Sequence, residues 1–566
     1  LSSLISLFTF LIRAILHQLK AAGLNWMDMR DIFVTHKHID HLLGIIWMMR
    51  MILQNMNRGK YEGEATIYGH EEVIRILKEM AGEVLSAKEM KYVDDRLHMV
   101  VVEDGEEREI IGKKVTFFDI HSIKAKQFGF CMQLDEDEKL TCCGDEPYNE
   151  LEQKYAENST WLLHEAFCLY GQVRSVSGVL PRVIRARELG CKCCMVPFGN
   201  LEEGRLVRDM KVIGVRNIAE MLRFLGNPEG FDEEEGVEEA QTTEKEENQV
   251  DFAEICGQES ARRAAEIAVS GFHNILFIGP PGTGKTMLAR RISTIMPSLT
   301  FEESLELTKI YSVAGLLSPK KPLIRIRPFR NPHHTSSAAA LAGGGKNPRP
   351  GEITLAHRGV LFLDEMPEFS RRGLEVLRQP LEDKQIQLSR ASGTYVFPAG
   401  FLLAAAMNPC PCGYYPDMNK CRCSSGEVSH YLHKLSQPLL ERIDLCVDVP
   451  PVEFSQISGL RSGESSAVIR ERVERVRLIQ SRRYQKEAIC FNGELSGKQI
   501  QKYCVLTEHA LKMAENAFEM MELSARSYHR ILKVARTIAD MDGEDQIHSR
   551  HVAEAFTYRA FDKKYK

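Results

Sequence analysis

The stretch Gly279-Pro280-Pro281-Gly282-Thr283-Gly284-Lys285-Thr286 fits G-x-x-x-x-G-K-[ST], the pattern of a nucleotide phosphate loop. The apolar residues 275–278 before it predict a buried parallel strand, and residues 287–291 after it predict the start of a helix. In this setting backbone N–H groups close around phosphate oxygens, and the helix N-terminus adds the positive end of its dipole. We expect Lys285 to reach the β- and γ-phosphates and Thr286 to hold Mg²⁺. A chance glycine-rich turn is the alternative.

Composition indicates a large soluble chain without a general affinity for nucleic acid. The 566 residues suggest roughly three or four domains. Hydrophobic residues make up 44% and charged residues 27%, and the net charge is −5, so any contact with nucleic acid would be local. The 15 cysteines, without a secretory signal, predict free or metal-bound thiols in the cytoplasm. The apolar residues 1–16 are interrupted and shorter than the about 20 residues of a membrane span, so we expect no membrane role.

Two further apolar runs predict buried strands that end in polar side chains. Residues 359–363 lead into Asp364 and Glu365, and residues 401–407 lead into Asn408. In a phosphate-loop fold the Asp after such a strand belongs to the Mg²⁺ shell, and a neighbouring acid can activate the attacking water. We therefore predict that Asp364 holds Mg²⁺, that Glu365 is the catalytic base and that Asn408 orients the water.

Two arginines are candidates for stabilising the transferred phosphate. Arg442 lies in Leu439-Leu440-Glu441-Arg442-Ile443-Asp444, before a strand predicted near residue 446. Arg526 opens a helix in the helix-rich region that runs from about residue 462 to the end of the chain. A positive charge supplied to the γ-phosphate from another chain or domain is a recurring part of phosphoryl-transfer sites. We predict Arg442 as an arginine finger and Arg526 as a second sensor, with a surface or helix-capping role as the alternative for each.

Basic side chains near a predicted hairpin are candidates for a nucleic-acid contact. Residues 385–398 predict a β-hairpin that turns at Ser392-Gly393, carries Arg390 and follows Lys384. A second basic group lies upstream, at Arg325, Arg327, Arg330, Lys346 and Arg349. Contacts of this kind to a nucleic-acid backbone are sequence-blind and salt-sensitive. A solvated surface is the alternative, because exposed Lys and Arg are common.

Residues 171–566 resemble the magnesium-chelatase-like branch of AAA+ ATPases, of the ComM/YifB type. The stretches that carry the resemblance are Gly257-Gln258-Glu259-Ser260, Arg330-Asn331-Pro332-His333-His334-Thr335, Asn408-Pro409-Cys410-Pro411-Cys412-Gly413 and Ser524-Ala525-Arg526. The resemblance implies a ring-forming AAA+ core with a C-terminal helical lid, ATP and Mg²⁺ as cofactors, and a homo-hexamer. It also implies action on DNA, by branch migration or helicase-like remodelling, which composition does not indicate.

Four cysteines after Asn408 form the pattern C-x-C-x₈-C-x-C. They are Cys410, Cys412, Cys421 and Cys423. Four thiolates so close in sequence can close a tetrahedral Zn²⁺ site of a structural kind. The one-residue spacing is less usual than C-x₂-C, so free thiols are the alternative.

A different metal pattern occurs in the first part of the chain. Thr35-His36-Lys37-His38-Ile39-Asp40-His41 places H-x-H-x-D-H after a strand predicted at residues 31–34, a spacing that can hold two metals. His121 and Asp145 follow two further predicted strands. With Trp161-Leu162-Leu163-His164-Glu165-Ala166, the set resembles the metallo-β-lactamase fold of the ribonuclease Z type. That implies an αββα segment, Zn²⁺ at His36, His38, Asp40, His41, His121 and Asp145, and phosphodiester hydrolysis. Loop histidines without metal are the alternative.

The resemblance in this first part is incomplete. The family's last metal-binding histidine lies downstream of His164-Glu165-Ala166, but the next histidine in this chain is His273. From Gly171 onward, Gly178-Val179-Leu180-Pro181 and Val196-Pro197 resemble the end of the Lon-like domain of ComM-type proteins. We therefore expect two truncated modules that meet near residue 170, as a fusion of gene fragments or an assembly artefact.

The predicted fold class is α/β in five segments. They are a truncated metallo-β-lactamase-like segment (1–170), a Lon-like remnant (171–226), an acidic linker (227–250), the AAA+ core (251–455) and a C-terminal helical domain (456–566). Three functions follow: an ATP-driven ring motor on DNA, a two-zinc phosphodiesterase or nuclease with the ATPase as a passenger, and a chelatase-like ATP-driven remodeller of a protein partner. The phosphate loop with its partner residues favours a motor or remodeller over the second, and the cysteines with the close resemblance favour the DNA motor.

Overall fold

The computed structural model divides the chain into two compact units. The first comprises Leu1–Gln241 with Tyr311–Leu323, and the second comprises Thr242–Ile310 with Ile324–Lys566. The residues that the structure describes are 25–37, 39–122, 125–135, 138–143, 153–157, 159, 161–163, 168–169, 172–217, 220–221, 223–224, 250–318, 321–345, 348–390, 393–452, 463–487, 489–521 and 523–559. No helix in these ranges is both long and apolar enough to cross a membrane.

The first unit begins with a three-stranded parallel sheet. Its elements are β1 (Asp31–Val34), α1 (Ile39–Asn57), β2 (Ala65–Gly69), α2 (Glu71–Val84), α3 (Ala87–Met90) and β3 (Leu97–Val101), and the strand order is β1-β2-β3. Ile32 and Ile67 on the strands share one buried cluster with Met49 and Ile52 of α1. The strand predicted at residues 31–34 is therefore confirmed.

A seven-stranded sheet makes up the rest of the first unit. Its elements are β4 (Glu107–Ile110), β5 (Lys113–Asp119), β6 (Phe128–Asp135), β7 (Glu138–Cys142), α4 (Gln153–Ala156), β8 (Trp161–Leu163), α5 (Val179–Glu188), β11 (Cys193–Pro197), α6 (Leu201–Gly204) and β12 (Lys211–Val215), and β9 (Cys168–Leu169) pairs separately with β10 (Gln172–Val173). The strand order is β12-β11-β8-β7-β6-β5-β4. The two sheets of the unit share an aromatic core, in which the Phe33 and Phe117 ring centroids lie 5.1 Å apart.

This larger sheet contains strands from both sides of residue 170, where the sequence predicts a boundary. Strand β8 pairs in parallel with β7 on one side and with β11 on the other. The predicted segments 1–170 and 171–226 therefore contribute strands to one sheet of one unit. The predicted linker, residues 227–250, lies outside the described residues except for Val250. The division into five segments, with two truncated modules that meet near residue 170, stays a prediction.

The second unit is built on a five-stranded parallel sheet. Its strands are β13 (Ile275–Ile278), β14 (Phe329–Arg330), β17 (Val360–Leu363), β20 (Leu402–Met407) and β21 (Leu445–Asp448), in the order β14-β17-β20-β13-β21. Side chains of β13 alternate between two clusters, Ile275 and Phe277 facing one and Leu276 and Ile278 the other. Burial on both faces explains why these strands are continuous apolar runs, as parallel sheets require.

Helices cover both faces of this sheet and extend into the C-terminal region. The helices of residues 251–559 are α7 (Glu259–Gly271), α8 (Lys285–Ile292), α9 (Phe301–Ala314), α10 (Ala338–Ala342), α11 (Glu352–Leu355), α12 (Arg371–Glu375), α13 (Arg378–Asp383), α14 (Ser425–Leu432), α15 (Gln437–Leu440), α16 (Ser466–Arg483), α17 (Gly497–Tyr503), α18 (Glu508–Met520), α19 (Ala525–Met541) and α20 (Ser549–Thr557). Buried residues of α16, α19 and α20 join the cluster that contains Phe277. The predicted helix-rich C-terminal region is therefore confirmed.

Two hairpins interrupt the alternation of strand and helix in the second unit. A short one pairs β15 (Gly343–Gly344) with β16 (Arg349–Pro350). The longer one pairs β18 (Gln385–Arg390) with β19 (Gly393–Pro398) in antiparallel register from Gln385 opposite Pro398 to Arg390 opposite Gly393. The hairpin predicted at residues 385–398 is therefore confirmed.

The start of β17 leaves no room for a side chain at Gly359. A Cβ there would lie 2.1 Å from the Pro328 carbonyl oxygen and 2.7 Å from the Pro328 ring. We expect Gly359→Ala to lower the free energy of unfolding by about 1–3 kcal/mol, the usual cost of overpacking, as measured by denaturant unfolding. Gly426→Ala is the matched control, because nothing lies within 4 Å of a Cβ there. An unfolding midpoint of Gly359→Ala equal to that of the control would contradict this packing.

Candidate active site

The phosphate loop connects β13 to α8 at the carboxyl edge of the five-stranded sheet. Gly282 and Gly284 adopt φ of +77° and +83°, a left-handed conformation that glycine accepts at low cost. A Cβ on Gly279 would lie 2.2 Å from the Val449 carbonyl oxygen, just after β21. The Gln258 amide also donates to the Thr283 carbonyl, 2.6 Å away. The loop backbone is therefore fixed by close packing at Gly279 and by a hydrogen bond at Thr283.

Lys285 is buried and links the loop to the end of β20. Its Nζ donates to the carbonyl oxygens of Gly279 and Pro280, each at 2.8 Å, and to Asn408 Oδ1 at 3.2 Å. Burial lowers the pKa of Lys285, and the carboxylates of Asp364 and Glu365 oppose that shift. The predicted phosphate-binding lysine and the predicted water-orienting amide are therefore in direct contact.

Thr286 and Asp364 form the other half of the site. The hydroxyl of Thr286, in the first turn of α8, donates to Oδ2 of Asp364, the residue that follows β17, at 2.7 Å. A hydroxyl and a carboxylate in this position are the protein ligands of Mg²⁺ in phosphate-loop enzymes. Hard oxygen ligands of this kind suit Mg²⁺, which takes few protein ligands and keeps several waters. The residues present therefore fit the ion that the sequence predicts.

Glu365 is exposed and held in an unusual backbone conformation. Its φ of +48° lies in the left-handed region, which costs a residue with a side chain about 1–3 kcal/mol and often occurs at functional sites. His334 Nδ1 lies 3.7 Å from Glu365 Oε2, and the His334 ring stacks on His333 with centroids 4.1 Å apart. Sequence reasoning assigned His334 no role, although the adjacent histidines near β14 were a visible signal.

The two candidate arginines are placed differently. Arg442 is buried, donates to the Pro438 carbonyl at 2.6 Å and forms an ion pair with Glu382. The hydrogen bond from Arg442 lowers the pKa of Glu382. Arg526, at the start of α19, is exposed. Among the described residues, Arg442 makes no hydrogen bond or ion pair with Lys285 or Asp364, the residues predicted to bind phosphate and Mg²⁺ in the same chain.

Comparisons with known families and proteins agree with this geometry. The family described as magnesium chelatase, subunit ChlI, matches residues 251–457, and its C-terminal family matches residues 463–559. Competence protein ComM of Haemophilus influenzae is 44% identical over 397 residues, which cover 69% of this chain and 76% of that protein. The chain belongs to the magnesium-chelatase-like AAA+ family of the ComM/YifB type.

Two further relatives support the same membership. YifB of Salmonella typhimurium is 47% identical over 316 residues, covering 55% of this chain and 61% of that protein. The uncharacterized protein Rv2897c of Mycobacterium tuberculosis is 42% identical over 402 residues, covering 71% and 78%. A third family model, described as anti-Pycsar protein Apyc1, matches residues 11–176. This last match covers most of the segment predicted to be metallo-β-lactamase-like, and that prediction stays untested.

Three of the basic residues predicted to face nucleic acid, Arg327, Arg330 and Lys384, are buried, half-buried or paired with carboxylates in this ComM/YifB-type core. Arg327 is buried, donates to the Pro297 and Arg358 carbonyls and pairs with Glu303 at 2.9 Å, so this part of the prediction is wrong. Arg330 makes two hydrogen bonds to Glu352, at 2.6 and 2.7 Å. Lys384 is half-buried, and burial lowers its pKa. Exposed side chains remain at Arg325 and Arg349, while Lys346 and the Arg390 side chain lie outside the described residues.

A buried carboxylate that sequence reasoning missed joins the sheet to α19. Asp444 Oδ1 accepts from Arg530 at 2.7 Å, and its Oδ2 accepts from the Asn274 backbone at 2.9 Å and lies 3.8 Å from His273 Nδ1. Burial alone would raise the pKa of Asp444, but Arg530, His273 and the Asn274 N–H together hold it well below its usual range. The network fixes Arg530, one helical turn after Arg526, against the sheet.

The four cysteines come together in the loop after β20. Their sulfur atoms all lie within 4.8 Å of one another, and Cys410 Sγ is 3.4 Å from Cys412 Sγ and 3.8 Å from Cys421 Sγ. A Zn–S bond of about 2.3 Å implies edges of about 3.8 Å in a tetrahedral site. The spacing of the sulfurs therefore fits a zinc ion.

The predicted metal set of the first unit is described only in part. His36 is buried, and its Nδ1 lies 2.9 Å from the Thr35 hydroxyl. His121 is exposed with φ of +53°, and its backbone N–H donates to Asp119. His38, Asp145 and the side chains of Asp40 and His41 lie outside the described residues. The predicted Zn²⁺ site there stays a prediction.

The Thr286–Asp364 pair generates a prediction about metal dependence. Thr286→Ala removes a hydroxyl that is a predicted Mg²⁺ ligand, so the Mg²⁺ concentration for half-maximal binding of an ATP analogue should rise about tenfold or more, equivalent to about 1.4 kcal/mol. Fluorescence titration of the analogue at varied Mg²⁺ measures this. Thr286→Ser is the matched control, because it keeps the hydroxyl. Equal Mg²⁺ dependence of the two variants would exclude Thr286 as a ligand.

The Asp444 network generates a prediction about stability. Asp444→Asn removes the buried carboxylate that pairs with the half-buried Arg530, so the free energy of unfolding should fall by about 3 kcal/mol at pH 7, the lower end of the range for a buried pair. Because the folded pKa of Asp444 is depressed, its contribution is complete above the unfolded pKa of about 3.9 and is lost below it. The difference from wild type should therefore shrink as the pH falls below about 4. Denaturant unfolding measures this, with exposed Asp383→Asn as the control; a pH-independent difference would contradict it.

Proposed function

We propose that this chain is an ATP-hydrolysing motor in which the phosphate-loop unit carries the reaction. The contact of Lys285 with Asn408, beside the Thr286–Asp364 hydrogen bond, is the observation that supports the proposal most directly. Lys285 would bind the β- and γ-phosphates, Thr286 and Asp364 would hold Mg²⁺, and the bound ion would neutralise charge that develops on the phosphates. Within the chain, Glu365 would take a proton from the attacking water, and Asn408 would orient that water.

We propose that the active form is a ring, with a homo-hexamer as the expected size. Arg442 as a finger and Arg526 as a second sensor would each supply a positive charge to bound nucleotide, Arg442 to that of a neighbouring subunit. Arg526 is exposed, so its charge is not engaged in a buried pair. Arg442 must first leave its pair with Glu382, so ring assembly would exchange that carboxylate for a phosphate.

DNA is the substrate that we propose for the motor, through branch migration or helicase-like remodelling. The name of the Haemophilus influenzae relative, competence protein, supports a role in DNA handling by analogy. The β18–β19 hairpin supports it structurally, because side chains along both strands are exposed and the hairpin carries Arg390. Lys384 lies at the base of the hairpin and would not take part. A remodeller of a protein partner shares every feature of the ATP site and is the alternative.

We also propose Zn²⁺ as a structural ion at the four cysteines, and the cytoplasm as the location of the protein. The S···S distances among Cys410, Cys412 and Cys421 are 3.4–3.8 Å, and Cys423 Sγ lies within 4.8 Å of all three, which supports tetrahedral thiolate ligation. Backbone N–H groups of Gly413 and Tyr415 also point at Cys410 Sγ, at 3.2 and 3.4 Å, as groups around a metal-bound thiolate do. Cysteines outside the quartet that form no disulfide, such as Cys490 and Cys504, support a reducing compartment.

The motor proposal is tested by ATP hydrolysis with and without DNA. We expect turnover that DNA increases, that high salt reduces because the contacts are to phosphates, and that Lys285→Ala abolishes. Release of inorganic phosphate is the measurement.

Lys512→Ala is the control, since Lys512 is an exposed lysine on α18 and should leave turnover unchanged. Hydrolysis that is sensitive to Lys285→Ala but indifferent to DNA would favour the protein remodeller. Turnover that survives Lys285→Ala would refute the site itself.

A further inference from the structure

The cysteine loop, residues 410–423, packs directly on the phosphate loop. A Cβ on Gly413 would lie 2.5 Å from Pro281 Cδ, so the two backbones are in contact with no space for a side chain. The cysteine loop also follows Asn408 by one residue. Whatever fixes this loop therefore fixes both a residue of the phosphate cradle and the end of β20.

The same loop forms one wall of the cavity next to the catalytic carboxylate. This cavity has a volume of about 550 Å³, and Glu365, Asn408, Pro411 and Tyr431 are among the residues that line it. Pro411 lies between two of the cysteines. Helix α14, which begins two residues after Cys423, contributes most of the opposite wall, and Tyr431 interacts with the backbone of Asn408. The cysteines thus lie between the two elements that hold Asn408.

The loop has almost no apolar core of its own. Cys410 and Gly413 are buried, but residues 416–420 and residue 422 are exposed. The conformation of the loop is held by turns and by the backbone N–H groups of Gly413 and Tyr415, which donate to Cys410 Sγ. A short segment that cannot bury enough apolar surface needs a cross-link or a metal to hold one conformation. The four converging sulfurs supply the ligands for such an ion.

We propose that the ion bound by Cys410, Cys412, Cys421 and Cys423 is a positioning device for the ATP site, which holds Asn408 and Pro281 in the geometry needed for hydrolysis. The inference rests on the proposed ATPase function and adds a metal requirement to it. Nucleotide binding relies mainly on the phosphate loop and Lys285, whose contacts to Gly279 and Pro280 lie within that loop. Loss of the ion should therefore reduce the turnover number much more than the affinity for nucleotide.

The test combines metal analysis with kinetics on the full-length protein. We expect about one zinc per chain in wild type and in Lys285→Ala, and none in the double variant Cys421→Ser, Cys423→Ser. Zinc removal by a zinc-selective chelator should lower kcat for ATP about tenfold or more, while Kd for a fluorescent ADP analogue changes by less than about threefold. Adding Zn²⁺ back to the stripped wild type should restore kcat, but should not restore it in the double variant.

Cys490→Ser is the matched control, because Cys490 is an exposed cysteine of the same unit outside the cluster. Reversible removal of zinc from the wild-type protein tests whether kcat depends on the ion even where the double variant does not fold. An intact quartet without zinc, or zinc loss with unchanged kcat, would overturn the inference. A parallel loss of nucleotide affinity and of thermal stability would show a general folding role instead. A zinc-loaded wild type that binds nucleotide without turnover would refute the proposed ATPase function, and the zinc stoichiometry would still report on the ion site.

Discussion

The hydrogen bond between Thr286 and Asp364 depends on the order of strands in the five-stranded sheet. Strand β20 lies between β13 and β17. Asp364 directly follows β17, whereas Thr286 lies in the first turn of α8, which the phosphate loop joins to β13. Ile278 is in register with Met407, and Leu363 with Ala405, so the three strands end at nearly the same level. Asn408 emerges from the middle strand and meets Lys285 from one side. The whole candidate site is a consequence of this register.

Burial of charge distinguishes the candidate arginines from the arginines that hold the fold. Arg530 is tied to Asp444 and anchors α19, whereas Arg526, one turn earlier on the same helix, is exposed. Arg442 is itself more buried than Arg530, but its partner Glu382 is half-exposed, whereas Asp444 is buried. Breaking a pair with an exposed carboxylate costs little compared with breaking a fully buried one. The ion pair therefore positions Arg442, and separating the pair returns the Glu382 carboxylate to water.

In the first unit, local sequence patterns predict individual strands and helices but not how the strands pair. The strands and the long helix of residues 31–101 follow from apolar runs and helical periodicity, and the structure contains them. The sheet with strands on both sides of residue 170 does not follow from any local pattern, because the pairing of β8 with β7 and with β11 joins residues far apart in sequence. The family resemblances predict a boundary near residue 170, but the strands before and after it, β8 and β11, pair in one sheet.

The sequence by itself determined the strand–loop–helix around Lys285, the polar ends of two more strands, the hairpin and the cysteine spacing. Each of these is encoded within about ten neighbouring residues, through periodicity, turn chemistry or a motif. Only the tertiary structure decided that Arg327 is buried against Glu303, that His334 faces Glu365, and that Asp444 anchors Arg530. It also decided that the cysteine loop touches Pro281. These contacts join distant segments, and which side chains meet there depends on packing that no local pattern specifies.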